Sequence, residues 1–147
     1  MKSGSPSTQE SDRQVFQNAA RATGCFRRSA RLTRPEQFQH ALSLRPVGRS
    51  ALFVCHHSKH PPDVASEFSV ARLGLVVPKR FAKQVVRRNA IKRVIREAFR
   101  QNLAFLPKGD LVIRLRCTSP ALSLAGLKAV VRSEIEQILL ILRRQSR

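Results

Sequence analysis

The most constraining feature of the sequence is a segment near its middle, residues 87–100, that combines apolar and cationic residues at helical spacing. On a helix that turns by about 100° per residue, Ile91, Val94 and Ile95 fall on one side. Arg88 and the cations that follow it at intervals of four residues fall on the other side, about 6 Å apart along the axis. The pattern predicts a helix with one face in a hydrophobic core and the other face toward an anion or solvent.

Positive charge extends beyond this helix. Between Arg72 and Arg100 the chain carries ten Lys or Arg residues and a single acid, Glu97. A solvated helix face ordinarily alternates Glu with Lys, whereas this face is almost entirely positive and repels itself unless an anion is bound. The whole chain has 28 Lys plus Arg against 9 Asp plus Glu, a formal net charge of +19. This excess indicates a polyanionic partner, RNA before any other.

The predicted RNA-contacting residues lie in this stretch. They are Arg72, Lys79, Arg80, Lys83, Arg87, Arg88, Asn89, Lys92, Arg93, Arg96 and Arg100. Membrane binding would instead require apolar residues free beside the cations, and the apolar face of this helix is needed for a core. The apolar runs of the 147-residue chain are also much shorter than the ~20 residues that span a bilayer.

The compartment is inferred from the N-terminus and the cysteines. The first ten residues are polar and Ser-rich, without the apolar segment of a secretory signal. Cys25, Cys55 and Cys117 are widely spaced and contain no C-x-x-C pair, which is typical of reduced thiols. The sequence therefore predicts a cytoplasmic protein with no membrane partner.

Local patterns predict a single α+β domain. We expect a flexible extension over residues 1–30 and a folded RNA-binding domain over residues 31–147. Thr33 and Glu36 form a capping-box pattern at the start of a short helix that ends near Leu44. Strands are predicted at 51–56, 68–77 and 111–116, and further helices at 85–102 and 122–144. This order predicts an α-β sandwich with a small sheet.

The sequence offers no protein active site. A metal-dependent nuclease needs several converging carboxylates, whereas the acids here are scattered through the tail, loops and helices. Cys55, His56, His57 and His60 are close in sequence but lack the usual spacing of zinc ligands. No nucleotide-binding or acyl-transfer motif occurs. We therefore expect the protein itself to bind no cofactor or metal and to have no small-molecule substrate.

Three segments resemble the protein component of bacterial ribonuclease P. They read RLTRPEQF at 31–38, RLGLVVPKR at 72–80 and RRNAIKRVIREAFR at 87–100. The last segment is the most specific, because it is similar to the family's R-N-R-x-K-R-x-x-R-E helix. Ala90 stands where the family has its second Arg, which leaves one phosphate contact absent or supplied by Arg87. The resemblance runs from about Arg31 to Arg144 and leaves the first 30 residues uncovered.

The resemblance implies a fold and a division of labour. The fold would be an α-β sandwich with a small mixed sheet and a left-handed βαβ crossover, as in some ribosomal proteins. The catalyst would be a large RNA partner that uses Mg²⁺ to cleave precursor tRNA and release its 5′ leader. The protein would bind that RNA and hold the single-stranded leader in a cleft. By motif position, the leader-binding residues would be Phe38, Leu42, Val54 and His56.

Two other functions share these sequence features. A ribosomal or rRNA-assembly protein without a nuclease role would have the same charge and fold. A helix-based DNA-binding module is more distant, because the chain lacks zinc-finger spacing, a leucine zipper and a helix-turn-helix glycine turn. For Phe38, ordinary core packing is the alternative to leader binding, since a single Phe on an amphipathic helix usually points inward.

Overall fold

A four-stranded mixed sheet separates one short helix from two long helices in the computed structural model, which describes residues 28–59 and 71–146. The helices are α1 (Pro35–Ser43), α2 (Val85–Asn102) and α3 (Leu124–Gln145). The strands are β1 (Pro46–Arg49), β2 (Phe53–Ser58), β3 (Ala71–Val76) and β4 (Gly109–Leu115). The predicted α+β class is confirmed.

The strands are ordered β1-β2-β4-β3 across the sheet. β2 pairs antiparallel with both β1 and β4, whereas β3 and β4 are parallel neighbours. Two parallel neighbours require a crossover connection, and α2 supplies it. The small mixed sheet and the β3-α2-β4 unit therefore agree with expectation, while the left-handed sense of the crossover stays a prediction.

Alternation along the strands builds two hydrophobic cores, one on each side of the sheet. In β4, Leu111 and Ile113 point into the large core formed with α2 and α3, whereas Val112 points into a small core beneath α1. The large core is completed by buried residues that include Phe53, Cys55, Ile91, Ile95, Phe99, Ile135 and Ile138. The sheet thus holds α1 on one face and the basic helix on the other.

Helix α2 begins and ends at the residues that the sequence predicts. Its buried side chains are Ala90, Ile91, Ile95, Ala98 and Phe99. Val94 is only partly buried and packs at the margin of the core. The cationic face is therefore directed away from the sheet, as the periodicity requires.

Strand β1 is absent from the sequence prediction, which treated Pro46, Val47 and Gly48 only as the end of the first helix. The strand lies at the edge of the sheet, where a proline without an N–H is tolerated. Its pairing is irregular between Pro46 and Gly48. Pro46 and Gly48 are typical of a turn, so the sequence pattern does not indicate this edge strand, which forms by pairing with β2.

The predicted start of α1 is wrong by one residue. The N-cap is Arg34, and Pro35 takes the first helical position, where a missing N–H has no cost. The Arg34 N–H donates to Gln37 Oε1 at 3.4 Å, so Thr33 and Glu36 do not form the capping box.

The described chain begins just before the expected domain boundary at Arg31. Residues Arg28–Ala30 form a 3-10 turn, and Ala30 is buried. Arg31 then forms a parallel bridge with Leu73 of β3. Ala30 therefore already packs against the domain, and residues 1–27 of the predicted extension over residues 1–30 lie outside the described residues.

A buried ion pair joins β3 to β4 on the α1 side of the sheet. Arg72 and Asp110 are register partners, and their side chains are 13% and 11% exposed. Arg72 Nε donates to Asp110 Oδ1 at 2.7 Å, and Nη2 donates to Oδ2 at 2.9 Å. Because both bonds are charge-assisted, this bidentate pair fixes the parallel register of the two strands.

The core assignment of Ile95 predicts the effect of truncating it. Ile95 is fully buried, so Ile95→Ala should lower the free energy of unfolding by about 2 to 5 kcal/mol through lost burial and a cavity. Val86→Ala on the same helix is the control, because Val86 is 60% exposed and its truncation should change stability by at most about 0.5 kcal/mol. Urea unfolding measures both, and equal losses would contradict the assignment.

The Arg72–Asp110 pair predicts a second stability effect. Asp110→Ala would leave a mostly buried guanidinium without this counter-ion and should lower the free energy of unfolding by about 3 to 5 kcal/mol. Glu136→Ala removes an exposed pair with Arg132, and its effect should stay below about 1 kcal/mol. Thermal unfolding of the two variants is compared at the same salt concentration. Equal losses of stability in Asp110→Ala and Glu136→Ala would contradict the prediction.

Candidate nucleic-acid interface

The exposed and partly exposed cations of α2 and of the loop before it, together with Asn89, are called here the basic surface. In the loop, Lys79, Arg80 and Lys83 are exposed, and the Arg80 guanidinium lies 4.6 Å from the centroid of the Phe81 ring. On the helix, Arg93 is exposed beside Asn89, and Lys92 and Arg96 are partly exposed. The members of the basic surface are Lys79, Arg80, Lys83, Asn89, Lys92, Arg93 and Arg96.

The other predicted RNA-contacting residues have partners within the protein. Arg72 is paired with Asp110. Arg100 donates from Nη2 to Glu97 Oε1 at 2.7 Å, and this hydrogen bond is the main reason why the pKa of Glu97 is lowered. Arg87 and Arg88 donate to backbone carbonyls of neighbouring loops. For Arg100 the sequence offers a local signal, because Glu97 lies three residues before it on the same helix. The partners of Arg72, Arg87 and Arg88 lie far along the chain or in a loop, so the sequence does not separate these three from the other cations.

A small concavity of about 120 Å³ lies at the open edge of β3, between α1 and α2. The chain before α1 runs alongside this edge, and the Leu32 N–H donates to the Leu73 carbonyl at 3.0 Å. The lining residues are Arg31, Leu32, Phe38, Leu73, Leu75, Lys92 and Arg96. Phe38 on α1 and two cations of the basic surface therefore share one depression.

The charges in this concavity are all positive. Its lining contains three cations and no carboxylate. The pKa of Arg96 is lowered, first by burial and second by the charge of Arg31. Both effects disfavour the charged guanidinium, and a bound anion would reverse them. The electrostatics thus favour a phosphate beside Phe38.

Phe38 is half-buried and divides its surface between the small core and this concavity. A Cβ atom added to Gly74 would lie 2.7 Å from Phe38 Cε1, so only a glycine allows the ring to approach β3 this closely. Leu42, one turn later, packs partly buried against the small core. The core packing of Phe38 and its exposure toward the cations are therefore compatible.

Val54 and His56 lie on the α1 side of the sheet, as alternation predicts, but they differ in accessibility. Val54 is partly exposed and is the register partner of Arg114. His56 is 8% exposed, and its Nδ1 lies 2.9 Å from the Leu44 carbonyl oxygen. The chain that follows α1 covers most of the His56 ring, and a role of His56 in leader binding stays a prediction.

Two cations near these residues were not singled out from the sequence. Arg31 lines the concavity, and Arg114 lies between Val54 and Val76 in the register of the sheet. Arg114 lies on the same face of β4 as Val112 and opposite to Ile113, and both neighbours are apolar, so the sequence alone does not show which side of the sheet Arg114 occupies. Arg31 carried a local signal, because it opens one of the three segments discussed above.

Cys55 and His56, adjacent in β2, lie on opposite faces of the sheet. Cys55 points into the large core, and burial raises the pKa of its thiol to about 12. His56 points to the opposite face, and His60 lies outside the described residues. Within residues 28–59 and 71–146, no three His, Cys, Asp or Glu side chains are grouped to hold a metal ion. None of the helices in that part is long and apolar enough to span a bilayer.

Comparison with known proteins connects this surface to one family. The family model for ribonuclease P matches residues 26–139. The ribonuclease P protein component of Bordetella parapertussis is 45% identical over 107 residues, which cover 73% of this chain and 86% of that protein. The protein of the same name from Ralstonia pickettii is 38% identical over 116 residues, covering 77% of this chain and 79% of that protein.

Solved structures agree on the fold. The RNase P protein of Staphylococcus aureus superposes with a TM-score of 0.63 at 23% identity, over 76% of this chain and 94% of that chain. The RNase P protein of Thermotoga maritima superposes with a TM-score of 0.55 at 28% identity, over 78% of this chain and 96% of that chain. With the family model and the relatives covering most of its length, the chain belongs to the ribonuclease P protein family.

Proposed function

We propose that the protein, as the ribonuclease P protein subunit, binds the catalytic RNA and the 5′ leader of precursor tRNA and thereby supports endonucleolytic 5′ maturation. The observation that carries this proposal is the concavity in which Arg31, Lys92 and Arg96 surround Phe38 at the margin of the basic surface. It supplies phosphate-binding charge and an aromatic ring at one place, which suits an unpaired nucleotide.

The basic surface is suited to the larger RNA partner. Its cations on α2 are Lys92, Arg93 and Arg96, and the four-residue interval between Lys92 and Arg96 is about 6 Å along the helix axis, close to the spacing of phosphates along a strand. The opposite face of the helix is anchored by Ile91 and Ile95, which are buried in the large core. A rigid array of cations binds a structured RNA with less loss of conformational entropy than a flexible tail would.

The leader would lie between α1 and the sheet. Phe38 offers part of its ring, Leu42 and Val54 offer partly exposed apolar surface, and Arg114 adds a cation beside Val54. Such a surface recognises single-stranded RNA by stacking and phosphate contacts rather than by base identity. The leader would then be held apart from the basic surface, with the concavity at the junction of the two.

The hydrolysis would be carried out by the RNA subunit with Mg²⁺. The carboxylates of the described residues are dispersed and largely engaged: Asp110 with Arg72, Glu97 with Arg100, Glu136 with Arg132, and Glu134 with the Leu52 N–H at 3.0 Å. Carboxylates that neutralise arginines at separate places are unsuited to hold a catalytic metal pair. The proposed role also places the protein in the cytoplasm, where bacterial tRNA precursors are made.

A ribosomal or rRNA-assembly role is the second candidate, because the charge and the α+β fold suit either function. The family match does not favour it. Isolation of the protein from cells and identification of the bound RNA separates the two. The ribozyme RNA should be recovered, and ribosomal RNA alone would support the second candidate.

If the RNA subunit carries out the hydrolysis, the outcome of reconstituting the enzyme from protein and RNA can be predicted. The purified, RNA-free protein should not cleave precursor tRNA in Mg²⁺, because its carboxylates do not assemble a metal site. Addition of a bacterial ribonuclease P RNA transcript should give 5′-matured tRNA, more efficiently at low Mg²⁺ than the transcript alone gives. Cleavage assays with labelled precursor tRNA measure this, and cleavage by RNA-free protein would contradict the proposal.

The leader site predicts a substrate-dependent effect of Phe38. Phe38→Leu keeps an apolar side chain against Gly74 and removes the aromatic face, so the holoenzyme should bind precursor tRNA about 5- to 150-fold more weakly. Binding of mature tRNA should be nearly unchanged. Phe105→Leu, at an exposed ring elsewhere on the protein, should affect neither substrate.

Equal losses for the two substrates in Phe38→Leu, accompanied by earlier melting of the protein, would assign Phe38 to the core alone. Phe38→Ala extends the test. The loss of stability in Phe38→Ala is measured on the free protein. Only the loss of affinity for precursor tRNA beyond the loss for mature tRNA is attributed to stacking.

A further inference from the structure

Two arginines in the first turn of α2 are directed toward backbone carbonyls. Arg87 Nη1 donates to the Leu122 carbonyl at 2.7 Å, and its Nη2 donates to the Pro120 carbonyl. Arg88 Nη1 donates to the carbonyls of Ala82, at 2.9 Å, and Lys83, at 2.7 Å. We call this pair the arginine clamp, since it joins α2 to the loop before it and to the segment between β4 and α3.

The clamp acts on a loop that has its own backbone connections. The basic loop, residues 78–83, folds back on itself because the N–H groups of Phe81 and Ala82 both donate to the Pro78 carbonyl. The Ser119 N–H donates to the Phe81 carbonyl at 2.8 Å. The loop is therefore tied at its middle to the segment before α3, and at its end to α2.

The basic loop needs such restraint because it carries like charges. Lys79, Arg80 and Lys83 are exposed within five residues of one another, and no acid occurs between them. Their repulsion favours an extended, mobile loop. Charge-assisted bonds from guanidinium to carbonyl are among the stronger hydrogen bonds, and two of them end on the last residues of the loop.

We propose that Arg87 and Arg88 are positioning residues. They hold the basic loop in a conformation in which its cations bind the same RNA as the cations of α2. They influence RNA binding through Lys79, Arg80 and Lys83 rather than as phosphate ligands. The inference rests on the proposed function and deepens it. It also means that Arg87 does not replace the arginine absent at Ala90, a residue that is itself buried.

Coupling between Arg88 and the basic loop tests the proposal. Affinity for a bacterial ribonuclease P RNA transcript is measured over a range of salt for R88Q, for the loop variant K79Q/R80Q/K83Q, and for their combination. R88Q should weaken binding several-fold in the native loop and add almost nothing in the loop variant. The matched control K92Q should weaken binding equally in both backgrounds and lower the salt slope by about 0.7 to 0.9.

The conservative variant R88K provides a second measurement. A lysine keeps the charge, but it lacks the planar fork of arginine and its ammonium is held on a shorter chain. A positioning role predicts that R88K weakens RNA binding as R88Q does. A direct phosphate contact predicts that R88K retains most of the wild-type affinity.

Thermal unfolding of the protein without RNA tests the clamp itself. R87Q and R88Q should each lower the melting temperature by roughly 4 to 8 °C, whereas R93Q, at an exposed residue of the same helix, should leave it nearly unchanged. This measurement needs no RNA, so it tests the clamp independently of the proposed function. Absence of salt-dependent affinity of the wild-type protein for the transcript would count against the proposed function and not against the clamp.

Three results would overturn the proposal. R88Q could weaken binding equally with and without the loop cations, which would make Arg88 a phosphate ligand. The loop variant could bind like wild type, which would exclude the basic loop from the RNA contact. R87Q and R88Q could leave the melting temperature unchanged, which would show that the bonds to the loops have no structural effect.

Discussion

Helix α2 is anchored by Ile91, Ile95 and Phe99, which are almost fully buried in the large core between the sheet and α3. This burial fixes the rotation of the helix about its axis, and the rotation in turn decides which cations face solvent. An array of like charges is unfavourable by itself, so the stability of the helix must come from its apolar side. The same packing that holds the crossover in place therefore presents the charge to a partner.

The arginines of the chain have different physical roles despite their similar sequence context. Arg72 and Arg100 neutralise carboxylates, and Arg87 and Arg88 donate to carbonyls at loops. Lys92 and Arg96 lie where an anion would relieve repulsion, beside Arg31. A net charge of +19 thus includes groups committed to the fold, and only the remainder is available for phosphate contacts.

The two surfaces proposed to bind RNA meet at the edge strand β3. Gly74 allows Phe38 to pack closely on the sheet, and the segment before α1 lies along the same edge. An edge strand ordinarily exposes unpaired backbone groups. Here the Leu32 N–H bonds to one of its carbonyls, and the side chains around it form the concavity. Protection of the edge and construction of the site are therefore accomplished by the same residues.

The sequence alone determined the elements that depend on local pattern. Helix α2 has the predicted bounds because its apolar period and its cationic period agree over 18 residues. The α+β class followed from the order of the predicted helices and strands, and the polyanionic partner from this helix and the net charge. The similarity of residues 87–100 to one family pointed to the function that the comparisons support.

The tertiary structure decided what depends on contacts between distant residues. β1 exists because β2 offers it a partner, and its Pro and Gly residues indicate only a turn. The burial of His56 depends on the path of the chain after α1, and the concavity requires Arg31 and Arg96 to meet across β3. Periodicity gives the face on which a residue lies, but only the packing of other elements determines whether that face is covered. For that reason Arg88 and Lys92, one helical turn apart and alike in sequence pattern, differ in structure: one is bound to a loop and the other lines the concavity.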